Sequence, residues 1–344
     1  MLPVIDLNPF LADPSGAAAD GVVEALRDAC HRIGFCYLSG HGVDVALERR
    51  LMAESQAFFR LPESDRQAIA IGRSPHFRGY TVLGDERTGG RRDWRDQIDI
   101  GPEEPATEVR PGDPPWLPLR GPNQWPAGQP GLCPAVLAWM TAMNELGTEV
   151  MRALALGLGQ PAGCFDAALQ PDPYTRVKIM RYPALPPSAP AERGLGMHQD
   201  SGLLSFILQD EVGGLEVETG DAVIPVEPIS GTYVMNLGEM LQRASGGYLN
   251  ATRHQVRSPP AGRERVSVAC FFNPRLDTVF EPLSLPPELA PAARGMDNPD
   301  PGDPIHATFG ENALKIRMRA HPDVTAAFYG DVQIPGGQTG GELR

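Results

Sequence analysis

The stretch His198-Gln199-Asp200-Ser201-Gly202-Leu203-Leu204 decides the interpretation of this chain, because it sets a histidine and an aspartate two positions apart. Residues i and i+2 of a β-strand point to the same side, so the imidazole and the carboxylate converge on one point. His254 follows 56 residues after His198, a distance that lets the chain return on a neighbouring strand of a β-barrel. The sequence therefore predicts a metal site formed by His198, Asp200 and His254.

An HxD pair is a weak signal on its own. The chain contains a second pair, His321-Pro322-Asp323, but its central proline would break a strand and no histidine follows it. We therefore expect a structural or surface role for His321. For the first pair, the alternative is a core histidine beside an unrelated aspartate in a turn.

Two histidines and one carboxylate form the facial triad of mononuclear non-haem iron(II) oxygenases. Nitrogen and oxygen ligands suit iron(II) better than thiolates do, and a single carboxylate leaves the metal with positive charge for an anionic cosubstrate. Three ligands on one face leave the remaining positions open for that cosubstrate and for dioxygen. Two other classes could use the same residues, a zinc hydrolase and a non-catalytic jelly-roll binding module. A hydrolase needs a general base near its metal, and none stands out in the sequence.

A second constellation follows His254 by eleven residues, at Arg265-Val266-Ser267. Arg265 and Ser267 share a strand face and open the apolar run 268–272. A buried arginine at the head of an apolar strand is costly unless it meets an anion. The guanidinium and the hydroxyl together suit the far carboxylate of a dicarboxylic acid. The alternative is that Arg265 pairs with a structural acid of the chain.

Hydrophobic patterns divide the chain into a helical first half and a strand-rich second half. Apolar residues recur at helical spacing over residues 17–33, 44–60 and 133–159, and short strands are predicted at Val4–Leu7 and Phe35–Leu38. We predict a mainly β fold with flanking helices, in which a double-stranded β-helix (jelly roll) packs against a helical N-terminal half. The β-forming runs after residue 170 are Thr175–Tyr182, Leu203–Leu208, Gly214–Glu218, Thr232–Asn236 and Arg265–Phe272.

One domain is expected over residues 1–344, because the sequence contains no linker of disordered composition and no internal repeat. It should divide into a mostly helical region (1–170), a jelly-roll core (171–280) and a C-terminal loop and helix (281–344). The C-terminal helix is predicted over Phe309–Met318, where it could cover the barrel.

Bulk composition argues against several classes of function. A net charge of −13 disfavours a non-specific nucleic-acid surface, and no apolar run approaches the ~18 residues of a membrane span. The N-terminus meets an acid at Asp6 and lacks the basic start of a signal peptide. The five cysteines are scattered without a CxxC pair, which suits a reducing cytoplasm. We therefore expect a cytoplasmic protein with a small-molecule substrate and no nucleic-acid or membrane partner.

Several motifs spread over nearly the whole chain resemble the isopenicillin N synthase-like branch of the iron(II)/2-oxoglutarate-dependent dioxygenases. Each motif is modest alone, and together they are specific. They include the HxDxGxL run at 198–204 and a segment close to VNxGDxLQ at 234–242. The other matching segments are Pro3–Leu7, Gly34–Val43, Arg181–Pro183 and Gln209–Val217.

This resemblance implies iron(II) at the predicted triad, with 2-oxoglutarate and dioxygen as cosubstrates. Arg265 and Ser267 would grip the distal carboxylate of 2-oxoglutarate, with help from Tyr182. Succinate and carbon dioxide would accompany hydroxylation, desaturation or ring closure of the substrate, and no catalytic residue beyond the metal ligands is needed. Some members of the branch are oxidases that form rings without 2-oxoglutarate and use the Arg-x-Ser for a substrate carboxylate, which is the alternative function.

One departure from the family pattern lies at Met180, where many members have an asparagine two residues before the tyrosine. Methionine cannot donate that hydrogen bond, which keeps the oxidase alternative open. Lys178 and Met180 share a strand face with Tyr182 and are predicted, with Phe272, to contact a polar substrate such as an amino acid or a peptide-like metabolite. Further pocket residues are expected from Arg78–Thr81 and Asp93–Asp99, where the alternative is a set of solvated strand-edge charges at Arg95, Asp96 and Asp99.

Overall fold

The helices lie mostly in the first half of the chain and near its end. The computed structural model describes residues 1–185, 193–220, 222–295 and 305–333. Within that part of the chain, the α-helices are α1 (Asn8–Ala12), α2 (Ala17–Arg32), α3 (Val45–Arg60), α4 (Glu63–Gln67), α5 (Leu132–Gly157), α6 (Asp166–Leu169), α7 (Glu239–Ala244), α8 (Phe309–Ala320) and α9 (Pro322–Phe328). The helices predicted from apolar spacing are confirmed as α2, α3 and α5, and the C-terminal one as α8. No helix among the described residues is both long and apolar enough to cross a membrane.

Short signals in the sequence fix the helix ends. The Asp44 side chain caps α3 by accepting a hydrogen bond from the backbone N–H of Ala46 at 2.8 Å. Gly34 ends α2 with a φ of +71°, which a side chain would strain, and an added Cβ would collide with the carbonyl oxygen of Asn250. The chain can therefore turn directly from α2 into the strand that starts at residue 35.

The strands form two main β-sheets, and both halves of the chain contribute strands to them. The larger sheet has the strand order β1-β2-β12-β9-β14-β7-β6-β3, and the smaller has β11-β10-β13-β8, while β4 and β5 form a separate hairpin. Apart from the parallel pair β1–β2, the pairings within the two sheets are antiparallel. The strands are β1 (Val4–Asp6), β2 (Phe35–Ser39), β3 (Gly79–Thr81), β4 (Arg87–Thr88), β5 (Arg91–Arg92), β6 (Asp96–Ile100), β7 (Arg176–Tyr182), β8 (Arg193–His198), β9 (Leu204–Gln209), β10 (Leu215–Thr219), β11 (Ala222–Val226), β12 (Tyr233–Leu237), β13 (His254–Arg257) and β14 (Arg265–Phe272).

Side-chain alternation along β14 separates the two faces of the larger sheet. Val268 and Phe272 point into the main hydrophobic core, which the helices of the first half cover. Ala269 and Phe271 point the other way and pack with residues of the smaller sheet, such as Val256. The sheets therefore face each other, and the predicted jelly-roll core with flanking helices is confirmed.

The larger sheet contains strands from both sides of residue 170, where we expected a boundary between a mostly helical region and the jelly-roll core. The strands β1, β2, β3 and β6 come from region 1–170 and extend the sheet that region 171–280 forms. The first region is therefore less purely helical than apolar spacing alone indicates. A single domain over residues 1–344 stays a prediction, and residues 296–304 and 334–344 of its C-terminal part lie outside the described residues.

Candidate active site

The three predicted metal ligands lie together between the sheets. His198 ends β8, His254 begins β13, and the two are direct partners in the antiparallel register. Asp200 follows β8 by two residues, and its Oδ1 lies 3.6 Å from Nε2 of His198 and 3.9 Å from Nε2 of His254. One ligand atom from each residue lies within 4.8 Å of the others. The fold therefore brings His198, Asp200 and His254 together although 56 residues separate the two histidines in sequence. We call these three residues the metal cluster.

Hydrogen bonds leave one free lone pair on each histidine of the metal cluster. The Nδ1 of His198 lies 2.8 Å from the carbonyl oxygen of Gly196, and that of His254 lies 3.1 Å from the carbonyl oxygen of Thr252. A carbonyl can only accept, so each Nδ1 carries the proton and each Nε2 keeps a lone pair. This is the arrangement that metal-binding histidines commonly adopt.

The carboxylate of Asp200 is oriented in the same way. Its Oδ2 accepts hydrogen bonds from the Ser205 hydroxyl and from Nδ2 of Asn236, the latter at 2.8 Å. Oδ1 is thus left to face the two imidazole nitrogens. The donor set of two imidazoles and one carboxylate on one side of a point fits iron(II) with open positions opposite.

Ionisation states also favour metal binding. Burial lowers the pKa of His254 to about 4, the neighbouring His198 adds to this, and Asp200 opposes it, so the His254 ring is neutral near pH 7. Burial alone would raise the pKa of Asp200, but His254, His198 and the Asn236 amide hold it well below its usual range. Asp200 is therefore ionised while the His254 ring is neutral, as a metal requires of its ligands.

A cavity of about 380 Å³ opens between the sheets at this cluster, within the usual size range of small-molecule sites. Its wall contains all three ligands together with Arg265, Ser267 and Tyr182, the residues predicted to bind 2-oxoglutarate. The two predicted constellations therefore open onto one space. Lys178 and Met180, predicted to contact substrate, line the same cavity.

Arg265 is 1% exposed and directs its guanidinium towards neutral partners. Nη1 donates to the Ser267 hydroxyl at 2.9 Å, Nη2 donates to Oε1 of Gln209 at 3.2 Å, and the guanidinium carbon lies 5.1 Å from the centre of the Tyr182 ring. Within the described part of the chain, no carboxylate forms an ion pair with Arg265, so the alternative of a structural acid finds no partner there. A buried cation without an ion-pair partner favours an anionic ligand.

Met180 accepts a hydrogen bond where the family pattern would place a donor. Its Sδ lies 3.1 Å from Nη1 of Arg95, and the Tyr182 hydroxyl lies 3.7 Å away. Arg95 therefore brings a guanidinium to the strand position that lacks the amide. This cation comes from the segment just before β6, which the sequence pointed to only as part of a candidate pocket.

A buried group of positive and negative side chains surrounds Lys178, and part of the group lines the cavity. Oε1 of Glu86 lies 2.6 Å from Nζ of Lys178, and its Oε2 lies 2.7 Å from Nη2 of Arg95. Oδ1 of Asp99 lies 3.0 Å from Nη1 of Arg317. We call this group the ion-pair cluster; its members are Glu86, Arg95, Asp99, Lys178, Arg317 and His321.

Within the ion-pair cluster, each charge is shifted by burial and by its neighbours. Burial lowers the pKa of Lys178 to about 8, with Arg95 and Arg317 adding to the effect and Asp99 and Glu86 opposing it. Burial would raise the pKa of Glu86, but Lys178 and Arg95 outweigh it and hold the pKa well below its usual range. The carboxylate therefore stays ionised between two cations.

Two expectations for the pocket are wrong. Phe272 lies in the main core against Gly147, because it is an odd number of residues from Arg265 and so faces away from the cavity; Phe271 lines the cavity instead. Arg78 does not line the cavity either, because its Nη2 donates to the carbonyl oxygen of Leu119 at 3.2 Å, behind the cavity wall.

The alternative of solvated charges on the segment 93–99 is also wrong. Arg95, Asp96 and Asp99 are 5%, 0% and 2% exposed, since each meets an opposite charge from elsewhere in the chain. Asp96 pairs with Arg181, which leaves Arg95 as the member of the three that lines the cavity.

His321 is buried, in agreement with the structural role that was one of its two expected roles. It is 1% exposed, and its Nε2 lies 3.5 Å from Oε1 of Glu86. The following proline begins α9. The preceding helix, α8, lines the cavity with Phe309, Ala313 and Arg317, which agrees with the predicted cover over the barrel.

Glu86 and Arg176 escaped the sequence analysis although both line the cavity. Glu86 lies in a loop before β4 and carries no motif. Arg176 could have been found, because it lies on the same strand face as Lys178, Met180 and Tyr182 at a spacing of two.

Two family models match most of the chain. The model described as non-haem dioxygenase in morphine synthesis N-terminal matches residues 2–128, and that of the 2OG-Fe(II) oxygenase superfamily matches residues 174–274. The second match contains the metal cluster and the Arg-x-Ser.

Similar proteins of known name and structure agree with these models. The chain is 32% identical to a 2-oxoglutarate-dependent dioxygenase of Dothideomycetidae sp. (strain 11243) over 340 residues, which cover 94% of this chain and 90% of the relative. It is 33% identical to a homoarginine-6-hydroxylase of Oryza sativa subsp. japonica, with 82% and 88% covered. The crystal structure of a full-length Neurospora crassa protein in complex with alpha-KG and thymine superposes with a TM-score of 0.73 at 25% identity, over 91% of this chain and 96% of that one.

The family models and the named relatives point to one enzyme class. They support a requirement for iron(II), 2-oxoglutarate and dioxygen, and they do not support the oxidase alternative. The chain belongs to the isopenicillin N synthase-like family of iron(II)/2-oxoglutarate-dependent dioxygenases.

Proposed function

We propose that the metal cluster binds the iron of this dioxygenase, and that Arg265 and Ser267 bind the distal carboxylate of its 2-oxoglutarate. The observation that carries the proposal is the buried guanidinium of Arg265, which lacks an ion-pair partner among the described residues and shares one cavity with three free metal-ligand lone pairs. A dicarboxylic acid with one end at each position would satisfy both.

The protein's own part in the reaction is to position and to exclude water. Bound iron(II) with 2-oxoglutarate supplies the oxidative chemistry, which yields succinate and carbon dioxide. Hydrogen bonds hold the ligand side chains in the orientation that a metal needs. The two histidines are held by the carbonyl groups of Gly196 and Thr252, and Asp200 is held by Ser205 and Asn236. Tyr182 stacks beside Arg265 and limits the movement of its guanidinium. No side chain is required to act as a general acid or base.

The substrate is a small polar metabolite, of which an amino acid or a peptide-like molecule is the form we propose. Charged side chains in the cavity wall, among them Lys178 and Arg95, support a polar substrate. Relatives named for homoarginine and a structure named for thymine support a small one. The described cysteines are all free, which supports the cytoplasmic location proposed for the protein.

Binding of 2-oxoglutarate to the iron(II)-loaded protein tests the cosubstrate site. Arg265→Gln should raise the dissociation constant about 10- to 100-fold, since it removes charge-assisted hydrogen bonds. The matched control is Arg253→Gln, because Arg253 is half-exposed and pairs with Glu218 at 3.8 Å on the surface. Unchanged 2-oxoglutarate affinity in Arg265→Gln, or substrate-dependent oxygen uptake without succinate release, would contradict the proposal.

A further inference from the structure

Arg176 is a second arginine that faces the cavity without a hydrogen-bonding partner among the described residues. Its side chain is 13% exposed, and its Nε is buried without a partner. The guanidinium carbon lies 5.3 Å from the centre of the Phe271 ring, which holds it against one wall. The Nη2 of Arg176 lies 4.0 Å from Oδ1 of Asp99, beyond hydrogen-bonding distance, so the terminal nitrogens keep donors for a ligand in the cavity that Arg176 lines.

The carboxylates near Arg176 are already committed to other cations. Asp99 lies 4.0 Å from Arg176 but 3.0 Å from Arg317. Glu86 lies 2.6 Å from Lys178 and 2.7 Å from Arg95. Lys178, Arg95 and Arg317 thus each have a carboxylate at 3.0 Å or less, and Arg176 does not.

The pKa of Arg176 agrees with this imbalance. Burial lowers it to about 10, with the charges of Arg317 and Arg78 adding to the effect, while Asp99 opposes it. Arginine normally stays protonated far above this range. The site therefore carries positive charge that the neighbouring acids do not neutralise.

The register of the larger sheet separates Arg176 from the proposed 2-oxoglutarate site. Arg265 is the cross-strand partner of Tyr182, and Phe271 is the partner of Arg176. These two pairs lie six residues apart along β14, about 20 Å in an extended strand. The backbones of Arg265 and Arg176 therefore lie at opposite ends of this strand pair, and we treat the two guanidinium groups as separate anion sites.

The same register brings Arg176 to the level of the metal cluster. Phe271 is also the partner of Ser205, whose hydroxyl donates to Asp200. Asn236, the other donor to Asp200, is the partner of Ser205 on the far side. An anion bound at Arg176 would thus lie at the end of the cavity where the substrate of the proposed reaction must approach the metal.

We propose that Arg176 binds a carboxylate of the substrate, so that the enzyme acts on a carboxylic acid whose oxidised carbon lies between Arg176 and the metal cluster. This inference rests on the proposed function and adds the substrate's charge to it. The terminal nitrogens of a planar guanidinium suit a carboxylate in a bidentate pair. A substrate that presents only a cation at this end is disfavoured by the surrounding positive charge.

The test measures thermal unfolding of the iron(II)-loaded protein under nitrogen, with 2-oxoglutarate at saturation. The probes are free amino acids, including homoarginine, and small monocarboxylic acids, each compared with its own carboxamide. We expect some acids to raise the unfolding midpoint while their amides do not, because only the acids carry the charge that Arg176 recognises. If no acid exceeds its amide, the proposal is wrong.

Variants then assign the preference to Arg176. Arg176→Gln should weaken binding of the preferred acid about 10- to 100-fold, Arg176→Lys should restore part of it, and Arg253→Gln should change nothing. An acid preference that survives in Arg176→Gln would also overturn the proposal. The comparison of acid with amide uses the unaltered chain, so it decides the question even if Arg176→Gln does not fold.

The 2-oxoglutarate response separates this inference from the proposed function. The rise in midpoint caused by 2-oxoglutarate alone should persist in Arg176→Gln and disappear in Arg265→Gln. If 2-oxoglutarate did not raise the unfolding midpoint of the unaltered protein, the proposed cosubstrate site would be refuted. A normal 2-oxoglutarate response with equal binding of acids and amides would refute the Arg176 proposal alone.

Discussion

The metal cluster and four of the six members of the ion-pair cluster line the same cavity, and both clusters are built from buried polar side chains. They differ in whether the polar atoms of their members satisfy one another. In the ion-pair cluster, Glu86 lies between Lys178 and Arg95, and Asp99 meets Arg317. In the metal cluster, neighbouring groups satisfy one atom of each side chain and leave another free. The free atoms of the metal cluster face one point.

This difference separates a structural use of buried charge from a functional one. Charges that neutralise each other hold chain segments together and present polar atoms, but little net charge, to a ligand. Lone pairs that converge without neutralising each other are costly unless something binds there. By this criterion Arg265 and Arg176 resemble the metal cluster, because their groups are also left without an ion-pair partner at 3.0 Å or less. They differ in that they would bind an anion and not a cation.

The largest effect is expected from removing a ligand of the metal cluster. His254→Ala or Asp200→Ala should lower metal affinity by at least about 100-fold and abolish turnover, because changes to groups that merely orient ligands already cost that order. Isothermal titration of iron(II) under nitrogen measures the affinity. His321→Gln is the matched control, since it removes a buried histidine of the ion-pair cluster. Full iron affinity in His254→Ala would refute the assignment.

A loss of stability without a loss of metal is expected from the ion-pair cluster. Glu86→Gln leaves Lys178 and Arg95 without their carboxylate and should lower the free energy of unfolding by about 3–5 kcal/mol. Glu218→Gln, at an exposed pair, should cost no more than about 1 kcal/mol. Urea unfolding measures both. A metal affinity that fell as steeply as the stability would show that the two clusters are not independent.

An intermediate effect is expected from the groups that orient Asp200. Asn236→Ala removes the amide that holds Oδ2 and should weaken metal binding about 10- to 100-fold. Asn123→Ala, far from the cavity in the loop that contacts Glu103, serves as the control. Unaltered affinity in Asn236→Ala would mean that the orientation of Asp200 does not depend on this contact.

The smallest effect concerns pH and His321. Burial lowers the pKa of His321, Arg317 adds to this, and Glu86 opposes it. As the pH falls below about 6.5, the unfolded chain takes up a proton that the folded chain resists. Stability should therefore fall with pH in this range, by at most about 1.4 kcal/mol per pH unit from this group. Urea unfolding at pH 7 and pH 5.5 gives the free energy of unfolding at each pH. The decrease between the two should be smaller in His321→Gln than in the unaltered protein, and an equal decrease would contradict the prediction.

The sequence predicted the metal cluster well because alternation along a strand is a local rule. His198 with Asp200, and Arg265 with Ser267, needed only a spacing of two. The prediction for Phe272 was wrong because it did not apply this alternation. Phe272 is an odd number of residues from Arg265 and lies in the core, while Phe271 faces the cavity.

The ion-pair cluster could not be predicted in the same way. The carboxylate of Asp99 is buried because Arg317 arrives from α8, more than two hundred residues later, and Glu86 reaches Lys178 from a loop without a motif. Whether such charges are solvated or buried depends on partners that no local pattern reveals. The strand β6 was missed for the same reason, since Asp96 and Asp99 interrupt its apolar pattern. The strand β3 has only three residues, too few to show an alternation.

The register between β8 and β13 has a consequence for the lifetime of the protein. Among the described strands, β8 pairs only with β13 and forms one edge of the smaller sheet, where strands fray most readily. His198 lies at the end of this edge strand and His254 lies on its neighbour, so a metal held between them would fasten the edge to the sheet. Amide hydrogens of β8 should then exchange more slowly in the metal-loaded protein. Proteases would find the same edge harder to open, and the supply of iron would influence how long each molecule survives as well as how fast it works.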